Sequence, residues 1–285
     1  MKKQSLFTVI YEDENMAALN KSSGIAVIQD RWDPSMEVLD KLAAKHLKIQ
    51  KLYTVHRIDR DTSGIVIFAK NSETHKALSA AFEERQVKKR YIAVIHGRPL
   101  WSETSCDFPL VPNGNKKHQT IIDKYRGKKS LTRFRLMGSA GNYSVLEALP
   151  ETGRTHQIRV HLAALGHPVV CDELYGSAKP VLLSAIKRNW RGDPMDERPL
   201  ISRLALHAAE LFIPGYTAKP AAKPAAKPAA KPATGPEAAV PERGLDLKAS
   251  LPRDMAALIH QMEKASGESY SIDIISGANH NLPEA

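Results

Sequence analysis

The sequence predicts an α+β fold, with strands dominant at its centre. The first third alternates short apolar runs of strand length with segments of helical spacing. Residues 98–150 then read as strand and loop almost throughout. Hydrophobic residues make up 42% of the chain and charged residues 25%, the usual balance of a packed core and a wet surface.

The elements follow in order. Residues 7–11 and 16–19 read as strands on either side of an acidic turn, Glu12-Asp13-Glu14-Asn15, and Ser22-Ser23-Gly24 turns the chain into the apolar stretch 25–28. Asp33-Pro34 opens a helix over 36–47, with Val38, Leu39, Leu42 and Leu47 on its apolar side. The run GIVIFA at 64–69 predicts a buried strand, 73–85 an amphipathic helix with Ala77, Leu78, Ala81 and Phe82 inward, and 90–96 a strand closed by Gly97. Strands at 131–136 and 143–149 flank the turn Ser139-Ala140-Gly141-Asn142. A helix over 155–165 aligns Ile158, Leu162 and Leu165 and ends before Gly166. A short helix at 181–190 and a strand within 204–213 follow. The tract AKPAAKPAAKPAAKPA from Ala218 has proline too often for a helix and too little apolar mass for a core, so it reads as an extended linker or loop excursion. Order resumes near Gly244, and a helix over 252–264 closes the fold.

Lys and Arg exceed Asp and Glu by 41 to 31, a net charge of +10; the four lysines of the AAKP tract carry part of it and the remainder holds +6. That surplus is compatible with a polyanionic partner, nucleic acid above all. No run approaches the roughly 18–20 apolar residues of a membrane span. The first residues lack the long apolar stretch of a signal peptide, and two cysteines, Cys106 and Cys171, cannot make a disulfide framework. Together these features predict a cytoplasmic protein with no membrane partner. His56, His156, His161 and His167 raise the question of a metal, but His156-x4-His161 is not a zinc-binding helical pair and no acidic third ligand accompanies it; no metal is expected.

The segment richest in chemistry is VHRIDRDTSGIVIFAK at 55–70, where a charged half runs directly into a buried strand. Charges are costly to bury, so such a cluster is either a solvated turn or a site that needs them. In the second case Asp59 is a candidate nucleophile or base.

His56-Arg57-Ile58-Asp59-x-x-Thr62-Ser63-Gly64 resembles the signature H-R-L-D-x-x-T-S-G of the RluA-type pseudouridine synthases, with Ile58 in place of Leu. Further stretches resemble the same family in its own order. They are Asn20-Lys21-Ser22-Ser23-Gly24, with Ser22 where proline is usual, the strand from Lys89 to Gly97, Gly153-Arg154-Thr155-His156-Gln157-Ile158-Arg159-Val160-His161, and the late strand opening Leu206-His207-Ala208. The likeness runs over about 11–214 and resumes at 251–262.

The resemblance implies an RNA-modifying isomerase that turns uridine into its C5-glycoside in rRNA or tRNA, without cofactor or metal. A stacked base cannot be reached, so it must be flipped out at a cost of a few kcal/mol. On this likeness Asp59, Tyr91 and Arg159 are the expected catalytic residues. Asp59 would attack or stabilise the electron-poor anomeric carbon, or remove a sugar proton. Arg159 would pair with it, since a neighbouring cation favours the ionised carboxylate. Tyr91 would offer a stacking face and a hydroxyl for the C5 proton. Arg57 would fill the gap left by the flipped base or anchor a phosphate. His56, Thr62, Arg154 and Ile158 are expected to help bind substrate, and Lys21, Lys88, Lys89, Arg90 and Arg154 would suit a phosphate-facing rim.

The fold implied is a mixed, mainly antiparallel sheet with flanking helices and an active-site cleft on one face. The expected organisation is a catalytic domain over 1–216, the low-complexity insertion over 217–241, and a segment over 242–285 whose strand and helix complete the domain before a disordered tail. Many relatives carry an N-terminal S4 RNA-binding domain; with the first strand near Phe7 none is expected here, so target choice would fall to the domain's own loops, with the protein acting as a monomer. A second reading keeps the fold but not the turnover, as an RNA-binding or ribosome-assembly factor; the joint presence of Asp59, Tyr91 and Arg159 weighs against it.

Overall fold

The computed structural model describes residues 5–29, 36–117, 119–217 and 243–272. The AAKP tract and the tail expected to be disordered lie outside them. Strands β1 (Phe7–Glu12) and β2 (Met16–Lys21) form the first hairpin, followed by helix α1 (Leu39–His46), β3 (Tyr53–Thr54), β4 (Ser63–Ala69) and helix α2 (Ser72–Glu83). Next come β5 (Lys88–His96), β6 (Glu103–Cys106), β7 (Leu110–Val111), β8 (Ile121–Ile122), β9 (Thr132–Ala140) and β10 (Tyr143–Pro150). Helix α3 (Gln157–Ala164), strands β11 (Leu206–Pro214) and β12 (Gly244–Lys248), and helix α4 (Arg253–Ser266) complete the order.

One ten-stranded sheet runs β1-β2-β4-β11-β5-β10-β9-β6, with β12 added to β11 and β3 to β4. All its pairings are antiparallel except β4 with β11, which are parallel and meet at His207 opposite Ser63 and Ala208 opposite Gly64. The late strand thus inserts between two early ones, so the sheet is mixed and mainly antiparallel.

Strand β4 shows why GIVIFA is apolar without alternation. Ile65, Ile67 and Ala69 pack with Leu78 of α2 on one face. Val66 and Phe68 pack with Leu39, Ala43 and Ala44 of α1 on the other. Both faces are covered, so both must be apolar. A third cluster joins β5, β9 and β10 to Ile158 and Leu162 of α3 and to Met255, Leu258, Ile259 and Met262 of α4. Gly64 sits at the tightest crossing. Its φ is +115°, and a Cβ there would lie 2.2 Å from the carbonyl oxygen of Ala208, so only glycine lets β4 and β11 approach.

Two expected elements differ. Helix α1 starts at Leu39 rather than 36, because Val38 is extended and bridges Ala26 in parallel; among the described residues that is the one β-bridge of the apolar stretch 25–28, whose Ala26 and Val27 carbonyls also accept from Leu39 and Asp40 N–H. The helix expected at 181–190 shrinks to a single 3-10 turn, Leu183–Ala185. Val181 accepts from Leu200 N–H and donates to the Ile201 carbonyl, so its backbone groups are committed to a strand-like bridge. Among the described residues no helix is long and apolar enough to cross a membrane.

Candidate active site

The segment carrying Asp59 is a loop between β3 and β4, pinned on several sides. Beneath it, Ile58 is buried in the α1-facing cluster. Thr62 N–H donates to the Asp59 carbonyl at 3.2 Å, closing a turn, and Gly24 N–H donates to the Arg60 carbonyl at 2.9 Å. Lys21 is 1% exposed. Its ammonium donates to the carbonyls of Ser22 (3.0 Å), Ile25 (2.8 Å) and Arg60 (2.8 Å), three acceptors for three N–H bonds. Burial pulls its pKa down to about 7, against the opposing charges of Asp61 and Asp59. Lys21 is therefore a staple holding the Asp59 loop to the first hairpin, not the phosphate-facing rim residue expected. Arg90 leaves the rim too: it pairs with Glu147 and, at 3.0 Å, with Glu210.

The other end of the motif is fixed to the late strands. Ser63 Oγ lies 2.9 Å from His207 Nδ1, and His207 Nε2 lies 3.2 Å from the Ala249 carbonyl. A carbonyl can only accept, so Nε2 carries the proton and Nδ1 accepts from the serine hydroxyl. Burial holds this histidine neutral, with its pKa down to about 4.

Asp59 itself remains 24% exposed at its side chain, with Oδ2 3.4 Å from Arg159 Nη1 and Oδ1 4.0 Å from His156 Nε2. Arg159 enters from α3 and is 4% exposed. Its Nε and Nη2 each donate at 2.8 Å to the two oxygens of Asp172, a planar fork on a carboxylate that is itself 0% exposed. Burial works to lower the guanidinium pKa, but the hydrogen bonds and charge of Asp172, with Asp59 behind them, outweigh it and raise it. Asp172 Oδ1 also accepts from Leu174 and Tyr175 N–H at 3.0 and 3.1 Å, so the fork is held rigidly.

His156 caps α3 in the left-handed region, φ 53°, and its Nδ1 lies 2.9 Å from the Tyr175 hydroxyl, which accepts from Thr120 N–H at 2.8 Å. Burial is the main force lowering its pKa, opposed by Asp59. Tyr91 projects from β5, where its neighbours across the sheet are Ala148 and Ala208. Its pKa is raised by burial first and by the charge of Asp59 second. Carboxylate and guanidinium thus meet at 3.4 Å, with Tyr91 near enough to feel the charge of Asp59.

The remaining expected residues separate. Arg57 is exposed, two residues before Asp59 on the same loop. His56 is engaged elsewhere: its ring stacks on Phe82 at 4.5 Å, its Nε2 accepts from Ile67 N–H at 3.0 Å, and burial lowers its pKa to about 3. Ile158 belongs to the apolar core. Thr62 is buried, its hydroxyl without a partner among the described residues. Arg154 spends its Nε on the Lys129 carbonyl at 3.1 Å. Among the described residues no three metal-ligating side chains converge. Asp172, His156 and Tyr175 were not foreseen as site residues. The available signals were an acid placed directly after the buried run PVVC and a histidine at a helix start.

A family model described as RNA pseudouridylate synthase matches residues 15–164, more than half of the 285. The chain belongs to that family. Among its relatives, ribosomal large subunit pseudouridine synthase D of Borreliella burgdorferi is 38% identical over 176 residues, 59% of this chain and 54% of that one. Ribosomal large subunit pseudouridine synthase C of Buchnera aphidicola is 37% identical over 205 residues, 70% of this chain and 60% of that one. The chain thus spans little more than half the length of these relatives. An uncharacterised RNA pseudouridine synthase of Zymomonas mobilis is 36% identical over 215 residues, 74% of this chain and 90% of its own. The structure of human RNA pseudouridylate synthase domain containing 4 superposes with a TM-score of 0.62 over 90% of this chain and 92% of that one; at 21% identity the likeness is one of fold. The RNA pseudouridylate synthase match includes Asp59, Tyr91 and Arg159 and stops before Asp172, Tyr175 and the inserted strand β11.

Proposed function

We propose that the chain isomerises uridine to pseudouridine within RNA. The observation that carries this reading is the partly exposed Asp59 carboxylate 3.4 Å from a guanidinium that is otherwise buried and forked by Asp172, in a chain of this family. The reaction breaks the N1–C1′ bond, turns the uracil, and forms a C5–C1′ bond. The C5 proton leaves, N1 regains one, and no oxidant or co-reactant is consumed.

Asp59 acts at the sugar, by attack on C1′, by stabilising its developing positive charge, or by taking a sugar proton. Arg159 keeps the carboxylate aimed, 3.4 Å from its guanidinium. The Tyr91 ring stacks on the extruded uracil, and its hydroxyl, held protonated by burial and by the charge of Asp59, handles the C5 proton. Arg57, exposed, occupies the gap in the RNA or holds a phosphate. Relatives named for the large ribosomal subunit and for tRNA, such as tRNA pseudouridine synthase C of Pectobacterium carotovorum, support rRNA or tRNA as substrate. We read the protein as a cytoplasmic monomer. The catalytically silent alternative lacks support, because Asp59, Tyr91 and Arg159 are present together.

The test is Asp59→Asn and Asp59→Ala, assayed by carbodiimide primer extension on RNA incubated with the protein. Both variants should fold and bind RNA and form no pseudouridine. A well-folded Asp59→Ala protein that still forms it would remove Asp59 from the chemistry.

A further inference from the structure

Residues 107–117 and 119–130 form an arm that the chemistry above does not use. Its core is the β7–β8 ladder, Leu110 opposite Ile122 and Val111 opposite Ile121, closed by a two-bond bridge between Leu110 and Lys128 at 2.9 and 3.0 Å. Six cations lie on this stretch, Lys116, Lys117, Lys124, Arg126, Lys128 and Lys129, against two acids, Asp107 and Asp123. All six are exposed.

At the turn after β8 stands Tyr125, 97% exposed. It is not on a floppy tip. Asp123 accepts from the N–H groups of Tyr125 (2.9 Å) and Arg126 (3.0 Å) and from Arg126 Nε (2.7 Å), and its carbonyl accepts from Gly127 N–H at 2.9 Å. A phenol ring wholly in water, between two cations, on a turn held by four hydrogen bonds is poorly explained as packing.

The arm is also fastened to the site. Thr120 N–H donates to the Tyr175 hydroxyl at 2.8 Å, and that hydroxyl meets His156, whose other nitrogen faces Asp59. At its base, the fully buried His161 of α3 holds Ser130 Oγ at 3.0 Å and the Phe108 carbonyl at 3.2 Å. The Lys129 carbonyl receives Arg154. A ligand gripped by the arm is therefore placed at a fixed offset from the carboxylate.

We propose that this arm docks an unpaired segment of the substrate RNA flanking the target uridine. One base stacks on Tyr125, and Lys124, Arg126 and Lys128 hold the adjoining phosphates. A ring face serves any exposed base, while a base inside a duplex has no free face to offer, so the arm selects loops over helices. The proposal rests on the isomerase reading for its substrate.

The experiment measures affinity by fluorescence anisotropy. The probes are a fluorescein-labelled RNA stem-loop with uridines in its loop and a fully paired duplex of matching length. Stacking of this kind implies that Tyr125→Ala weakens stem-loop binding about 5- to 150-fold, while Tyr125→Phe restores it and duplex binding stays unchanged. Lys124→Ala with Lys128→Ala should flatten the salt dependence by roughly 0.7 in log–log slope for each phosphate no longer neutralised. Wild-type stem-loop affinity in Tyr125→Ala, or equal weakening on both RNAs, would overturn the arm. So would an Ala-type weakening in Tyr125→Phe. RNA binding by the wild type without pseudouridine formation would instead remove the isomerase reading and leave the arm standing.

Discussion

Replacing Asp172 by asparagine isolates the part of the site that the sequence hides. The wild-type carboxylate gives both oxygens to Arg159, at 2.8 Å from Nε and 2.8 Å from Nη2. An amide keeps one acceptor and sets an NH2 group against a guanidinium N–H, so one arm of the fork becomes donor against donor. The buried positive charge then has one carboxylate left, Asp59, at the longer distance of 3.4 Å and partly in water. Removing a partner from a buried pair costs about 3–5 kcal/mol. With one bond retained, Asp172→Asn should cost about 2–3 kcal/mol. For a chain of this size that is a fall in Tm on the order of 4–12 °C. The functional effect is separate. Arg159 freed to shift by ~1 Å would lower kcat by about a hundredfold, while KM for RNA, which the proposed function assigns to other groups such as Arg57, should hold near its wild-type value. Differential scanning calorimetry and steady-state kinetics on one preparation give both numbers. A lower Tm with unchanged kcat would make Asp172 a purely structural partner, and an unchanged Tm would refute the account of the fork altogether.

Gly64→Ala should cost more than ~4 kcal/mol, because its Cβ would sit 2.2 Å from the Ala208 oxygen at a φ of +115°; soluble expression with a wild-type urea midpoint would contradict the close crossing of β4 and β11. Stability should also fall on acidification. His207 and His56 have folded pKa values near 4 and 3, against about 6.5 when unfolded. Between those values the unfolded chain binds protons that the folded one refuses. Stability present at pH 7 is therefore lost below about pH 6.5, by up to ~1.4 kcal/mol per pH unit for each histidine. Urea unfolding across that range should show the slope, and His207→Gln should flatten it.

What the sequence made legible follows physical scale. Strand β4 was readable because burial on both faces leaves an unbroken apolar run, and α4 because Met255, Leu258, Ile259 and Met262 fall at helical spacing on one buried stripe. The 181–190 segment has apolar residues at tolerable helical spacing too, yet Val181 is claimed by a backbone bridge to Ile201, a partner no local window contains. Asp59 and Arg159 stood out through motif resemblance, since a charged turn before a strand is equally a solvated loop. Asp172 gave no such signal: its importance lies in two hydrogen bonds to a residue 13 positions away. Lys21 misled because lysine before Ser-Ser-Gly looks like a wet turn, whereas three backbone carbonyls converge there.

The signature around Asp59 is longer than its chemistry requires, and the side-chain directions explain why. Ile58, Thr62, Ser63 and Gly64 are buried, Ser63 is tied to His207, and His56 accepts from the next strand's backbone. Of the motif's named residues Arg57 is exposed, and His56 and Asp59 are partly so. A carboxylate with the role proposed for Asp59 gains from being held to within about half an ångström, and a loop tip has little stiffness of its own. The motif supplies it by anchoring the loop at both ends: to β4 and the late strand β11 through Ser63, Gly64 and His207, and to the first hairpin through Lys21. The strand inserted between β4 and β5 is thus part of the active site's rigidity. By the same logic the conservative change Ser63→Ala, which touches no reacting atom, should lower kcat before it lowers RNA affinity.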